Sequence, residues 1–529
     1  MIGNLSLYDN LVLLLYFSIV MVIGIYSAIG KDKTAKDYFL AGRDMGWLAI
    51  GMSLFATNIS AEHLVGLAGS ASIHGLSVGY FEWFAVLILF LLGWVFAPIL
   101  IKSNVYTMPE FFGKRFDGRT RTYLTILSLA VYFFTKIGVT LLAAGFILSR
   151  IIGLDMFFAS ILVVLLTGIY TVIGGLNSVI KTQIFQAVVL ILGAFFLTVF
   201  GLKEIGGLSV LTSTLPQKYF AVFKSFSDPD LPWTGILLGA PILGIWYWCT
   251  DQYIMQRIFS SRSINDAKKG TALAAVLKTL PILLFIIPGM IAVEIFPTVS
   301  GDEVYPYLLG SNILPSGVKG IVFAGLFAAL MSSLSSAFNS ASTLIANDLY
   351  KVRNKNSTDH ELVLIGRLST VMIVFLTIVL IPLIRMINTQ IYIYLQHIQA
   401  FISPPIAAVF LLGIFWSKAT SKGAFLTLII GGIIGLVRVI LIFAGDFIIP
   451  ESIILNLINQ LNYLHFAVML FIISMGLMIV ISLYDTKDEI EIGKPKEIIY
   501  PKEEVKFSFN TEKIDDYEII NQNKQTLNA

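Results

Sequence analysis

Apolar stretches of about 20 residues recur along this chain, separated by short polar connections. Taken as bilayer-crossing helices, they predict thirteen spans, near residues 8–29, 45–70, 78–101, 122–149, 156–173, 184–202, 234–257, 271–296, 318–349, 363–384, 391–416, 423–444 and 462–483. Runs of this length do not suit a membrane β-barrel, whose strands would alternate apolar and polar positions over short segments. The expected fold class is an all-α polytopic membrane protein.

Two spans interrupt the pattern. In the second, Phe55-Ala56-Thr57-Asn58-Ile59-Ser60-Ala61-Glu62-His63 places an amide, hydroxyls, a carboxyl and an imidazole at a depth where no water satisfies them. Such a segment is expected to unwind, with freed carbonyls and polar side chains lining a cavity. The small residues Ala56, Ser60 and Ala61 let an ion or solute approach the backbone. In the seventh span, Gly244-Ile245-Trp246-Tyr247-Trp248-Cys249-Thr250-Asp251-Gln252 repeats the interruption. The two lie five spans apart, and an odd number of spans reverses orientation. The breaks therefore predict inverted repeats over 45–203 and 234–416. Around them the pattern places a peripheral helix in 1–30, two peripheral spans in 421–484 and a polar tail, 485–529, expected to be cytoplasmic and of low order.

Composition excludes a soluble protein: hydrophobic residues make up 57% and charged residues 13%, about half the usual charged share. With the N-terminus outside, the outer connections hold Arg150, Lys203, Lys218, Lys224, Lys319 and Arg385. The inner connections hold many more, including Lys102, Lys114, Arg115, Arg119 and Arg121 in one loop and Arg257, Arg262, Lys268 and Lys269 in another. This asymmetry predicts N-terminus out and C-terminus in. The net charge of +3 reflects these topology signals and forms no basic stripe for nucleic acid. The single cysteine, Cys249, excludes an intrachain disulfide and a cysteine-based metal cluster. The first span follows a segment without Lys or Arg and is too long for a typical signal-peptide core, so it reads as a retained helix. The lack of a cysteine-stapled outer loop favours a bacterial inner membrane as the plasma membrane in question.

Further polar groups lie inside the spans: Glu82 in the third, Lys278 in the eighth and Gln396 in the eleventh. Ser332, Ser333, Ser335, Ser336, Asn339, Ser340 and Ser342 crowd the ninth. Hydroxyls and carbonyls among small residues suit a hard monovalent cation such as sodium better than zinc. A carboxylate, an amide, an ammonium and an imidazole beside aromatic rings suit a polyhydroxylated solute. Each group also has a structural explanation. Serines in membrane helices bond back to their own backbone, and Glu82 and Lys278 could form a plain salt bridge. Lys136 and Arg438 fit structural pairing or snorkelling, while Asp251 and Asp348 fit helix capping. Gly75-Leu76-Ser77-Val78-Gly79 matches a serine-hydrolase elbow in letters but lies in a short loop between membrane helices. No catalytic residue is expected, and the chain is not expected to be an enzyme.

These residues resemble the sodium/solute symporter family and, within it, the sodium/sugar (sodium/glucose or galactose) cotransporters, over roughly 1–484. Beyond the two breaks, the resemblance rests on Gly93-Trp94-Val95-Phe96-Ala97-Pro98, on Tyr106-Thr107-Met108-Pro109-Glu110, on Met331-Ser332-Ser333-Leu334-Ser335-Ser336-Ala337-Phe338-Asn339-Ser340 and on Ser403-Pro404-Pro405-Ile406-Ala407. It implies a LeuT-type core of two inverted five-helix repeats and sodium-coupled uptake of a hexose-like sugar by alternating access. Inositol, sialic acid or a carboxylate are the alternative solutes, and a transporter-like nutrient sensor or a glycan-acting enzyme are more distant readings. By resemblance, sodium would bind the carbonyls of Ala56, Ile59 and Ala329 and the hydroxyls of Ser332 and Ser333. The sugar would contact Asn58, His63, Glu82, Lys278 and Gln396. Tyr247 would stack beneath it as the inner gate, flanked by Trp246 and by Trp248, which is counted in the substrate site. Leu67, Phe81 and Tyr392 would close over it from outside. Two departures stand out: Gly244 falls where relatives carry a sugar-contacting polar residue, and Gln183 where many carry an Asp tied to sodium release or a second sodium.

Overall fold

In hydrocarbon every backbone N–H and C=O must be satisfied within its own segment, and the described residues are built from helices, with no strand. The computed structural model describes residues 5–29, 34–60, 62–152, 156–384, 391–448 and 461–485. The expected tail beyond Asp485 lies outside them. The principal helices are α1 (Leu7–Ala28), α2 (Trp47–Asn58), α3 (Tyr80–Leu91), α4 (Gly118–Val131), α5 (Gly138–Ile152), α6 (Met156–Ile205) and α7 (Trp233–Cys249). They continue with α8 (Gln252–Phe259), α9 (Ile264–Leu277), α10 (Val318–Leu344), α11 (Asp359–Ile384), α12 (Ile391–Phe415), α13 (Ser421–Ile448) and α14 (Tyr463–Asp485).

The small-residue run of the ninth span becomes α10, buried along almost its whole length with α6, α1 and α2 packed around it. Small residues permit that density. A Cβ added to Gly193 on α6 would meet the Ile321 carbonyl oxygen at 2.9 Å, so the two backbones touch. The head of α1 is tied to the same helix: Asp9, already in a capping box with Ser6, accepts the N–H groups of Gly317 (2.8 Å) and Gly320 (2.7 Å).

Ten helical runs among the described residues are long and apolar enough to cross a membrane, against the thirteen spans expected. The difference falls at three places. The interrupted second and seventh spans are divided into pieces as short as α2 (12 residues) and α7 (17 residues). The third is the run Ser160–Ile205, 46 residues long. A loop was expected near 173–184, but the chain turns in a single kink at Gly175, where φ is +51°. A side chain there would clash with the Tyr38 carbonyl at 2.4 Å.

Both expected breaks are present. α2 ends at Asn58, Ile59 is extended (φ −73°, ψ 103°), and a π-helical turn over Glu62–Leu67 resumes the span. Ala61 lies outside the described residues. α7 ends at Cys249, and α8 starts afresh with Asp251 as its cap, the carboxylate accepting the Tyr253 N–H at 3.1 Å. Arg438 serves packing: its guanidinium donates to the Leu461 carbonyl at 2.6 Å and lies 5.0 Å from the Phe466 ring.

Candidate functional site

The two breaks face each other. Because α2 stops at Asn58, its side-chain amide turns across to donate to the Tyr247 hydroxyl on α7 at 3.1 Å. Lys278, the first residue beyond α9, is 1% exposed and donates to the Asn58 side-chain oxygen at 2.6 Å and to Glu82 on the first turn of α3. The other Glu82 oxygen lies 3.4 Å from His63 Nε2. One chain of polar groups, His63–Glu82–Lys278–Asn58–Tyr247, thus joins the second and third spans to the seventh and eighth. Lys278 is additionally 5.8 Å from the Trp248 ring.

These groups line one cavity. All seven expected substrate residues line it: Asn58, His63, Glu82, Tyr247, Trp248, Lys278 and Gln396. Phe81 lines it too, whereas Leu67 is buried in the π-helical turn and is not among the lining residues. The Tyr392 side chain lies outside the described residues. Trp246 flanks Tyr247, with ring centroids 6.3 Å apart, and lines a neighbouring cavity beside Tyr132 and Asp251. Successive helical side chains turn by about 100°, so three consecutive rings do not share one cavity. Gly244 and Gln399 complete the wall, and a Cβ on Gly244 would meet Ile88 at 3.1 Å.

The residues expected to hold a cation gather where α2 meets α10. In an unbroken helix the Ala56 carbonyl would accept the Ser60 N–H, but that N–H turns instead toward His63 Nδ1, at 3.5 Å. The freed Ala56 carbonyl accepts the Ser332 hydroxyl at 2.8 Å, and the Ala329 carbonyl accepts the same hydroxyl at 3.0 Å. Ser333 Oγ is buried with no hydrogen-bond partner, and Ile59 is fully buried at the break. Two carbonyls gathered on one hydroxyl, beside an orphaned second hydroxyl, form a donor set suited to a hard cation.

Gln183 lies beneath, with its amide donating to the Ser332 carbonyl (3.0 Å) and Ser336 Oγ (2.7 Å) and its oxygen accepting from Ser53 (2.5 Å). Ser336 also accepts from Arg257 at 2.5 Å. Arg257 is a correction. Its charge suggests an inner loop, yet it is 0% exposed, with another guanidinium nitrogen donating to the Tyr253 carbonyl at 2.6 Å. Tyr253 donates to the Thr57 carbonyl (2.9 Å) and joins the two breaks. Asp348 is clamped by Arg121 (2.6 Å) and Thr107 (2.9 Å). No group of three or more metal-ligating His, Cys, Asp or Glu occurs among the described residues.

The profile of the Sodium:solute symporter family matches residues 38–431. The chain is 38% identical over 522 residues to sodium/glucose cotransporter 1 of Ovis aries, covering 90% of this chain and 78% of that one. It is 37% identical over 535 residues to the sodium/myo-inositol cotransporter of Mus musculus, covering 91% and 74%. Among solved structures, a Na+-coupled sialic acid symporter in a substrate-bound outward-open state matches with a TM-score of 0.77 at 22% identity, over 90% of this chain and 98% of that one. At that identity the likeness establishes the fold, an all-α polytopic membrane architecture with a LeuT-type core.

Proposed function

The chain belongs to the sodium:solute symporter family, and we propose that it couples the inward flow of sodium to uptake of a hexose-like sugar. The observation that carries this reading is the hydrogen-bonded series His63–Glu82–Lys278–Asn58–Tyr247 around one cavity. It offers charged acceptors and donors together with the Tyr247 and Trp248 rings. Sugar hydroxyls exchange with these internal hydrogen bonds while the C–H face lies on a ring. Sodium binds the carbonyls of Ala56, Ile59 and Ala329 and the hydroxyls of Ser332 and Ser333. The protein is a transporter and not an enzyme.

The mechanism is alternating access. Sodium draws the broken span and α10 together and orders Asn58, whose amide reaches Tyr247. Sugar then binds, Phe81 and its neighbours close the outer side, and sodium loss to the cytoplasm frees Tyr247 to release the sugar. Sodium and sugar favour the same closed state, so each raises the other's affinity by the same factor. The membrane potential contributes about 2.3 kcal/mol per charge per 100 mV. In this scheme residues 45–203 and 234–416 are the two inverted repeats, the N-terminus is outside, the C-terminus is cytoplasmic, and the membrane is the plasma membrane.

Competition identifies the solute. Unlabelled glucose or galactose should suppress uptake of labelled sugar at concentrations where myo-inositol and sialic acid do not. Selective suppression by inositol would transfer the reading to the solute of the murine relative. Sodium and sugar should move one to one. Gln183 is neutral, already satisfied on both sides, and linked through Ser336 to the buried cation Arg257, which disfavours a second sodium there. A flux ratio of two would overturn that stoichiometry.

A further inference from the structure

Lys136 takes no part in the scheme above, yet its position gives it a role. It lies in the π-helical turn Tyr132–Ile137 between α4 and α5, is 7% exposed, and forms no hydrogen bond or ion pair through its ammonium among the described residues. The ammonium is 4.2 Å from the centre of the Tyr247 ring and 5.1 Å from that of Tyr253. It shares a cavity of about 220 Å³ with Ser60, Glu62, Thr140, Tyr247 and Ser333. Ser333 is the hydroxyl left without a partner in the proposed cation site.

Resting on the symporter reading, we propose that Lys136 is a built-in antagonist of sodium, a positioning residue that sets how tightly the ion is held. An ammonium that only the buried Asp251 carboxylate opposes at longer range, and a sodium ion opening on the same small cavity, repel each other, because little water screens them. Sodium binding is therefore weakened by Lys136. Once sodium departs, the ammonium is the cation that remains beneath Tyr247, held on the faces of two rings. The arrangement keeps sodium affinity low enough for release into the cytoplasm and ties the ion's departure to the group that packs under the gate. Glu62, on the same cavity wall and 3.6 Å from His63, and the buried Asp251, which feels the Lys136 charge, supply the opposing charges that keep the site attractive to a cation.

The test is a sodium titration of the purified full chain, read by intrinsic tryptophan fluorescence in detergent and by uptake in proteoliposomes. Lys136→Gln should lower the half-saturating sodium concentration by about fivefold or more. Sugar KM at saturating sodium should stay within about twofold, since the two ligands are linked only while sodium is limiting. Turnover should fall as sodium leaves more slowly. Lys136→Arg, which keeps the charge, should restore the wild-type sodium dependence. A purely structural residue would lower protein yield or maximal rate and leave the sodium midpoint alone, and an unchanged or raised midpoint in Lys136→Gln overturns the proposal. Lys136→Met, close in length and apolar, carries the same expectation if the glutamine variant does not fold. A wild-type chain without any sodium response would sink the sodium reading itself and this inference with it. A sodium-responsive wild type with unaltered variants would sink the inference alone.

Discussion

Glu82→Ala reduces sugar uptake at limiting sugar by about 100-fold or more while sodium binding changes little. Removing one partner of a buried ion pair costs about 3–5 kcal/mol, because the remaining charge stays in low dielectric without compensation. Here that charge is Lys278, 1% exposed, whose other described hydrogen-bond acceptor is the Asn58 side chain. The stranded ammonium would tighten on Asn58 and distort the group that also reaches Tyr247. The sugar would lose an acceptor and meet a cavity rearranged against it. His63 loses its contact as well, since its Nε2 faces Glu82 at 3.4 Å. Initial-rate uptake in proteoliposomes, with parallel sodium titration, checks this. Wild-type sugar kinetics in the variant would remove Glu82 from the site and leave the ion pair a structural element.

Ser332→Ala should produce the complementary phenotype. Its hydroxyl is the point on which the Ala56 and Ala329 carbonyls converge. A contact between a polar group and a charged one is worth about 1.5–3 kcal/mol, which predicts a rise of roughly 10- to 100-fold in half-saturating sodium. At saturating sodium the maximal sugar rate should approach wild type. At limiting sodium the sugar KM should rise too, because the affinities are coupled. A changed sugar KM with an unchanged sodium midpoint would assign Ser332 to packing of α10. The two variants together separate the sites: one perturbs sugar with sodium intact, the other reaches sugar only through sodium.

Much of this arrangement was legible in the sequence because a membrane makes polar residues conspicuous. Asn58, His63, Glu82, Lys278 and Gln396 stand in apolar surroundings where each is costly, and all five line one cavity with Tyr247 and Trp248. What escaped depends on direction and not on composition. Trp246 belongs to the same aromatic run as Tyr247, but the helix turns it to a different cavity. Leu67 lies one π-helical turn past the break, and a wider turn shifts which side chains reach the site. Arg257 reads as a loop charge at the end of a span because nothing local reveals that the short α8 tucks it under α10. The kink at Gly175 replaces an expected loop, since one residue with positive φ can redirect a chain that otherwise remains helical.

Uptake of radiolabelled glucose and galactose into proteoliposomes bearing an inward sodium gradient tests the symport reading most directly, with potassium or choline as the control cation. Concentrative uptake that requires sodium and collapses when an ionophore dissipates the gradient is the expected result. Uptake that merely equilibrates the sugar, or that proceeds equally in potassium, would contradict coupling between the cation site at Ser332 and the cavity at Glu82.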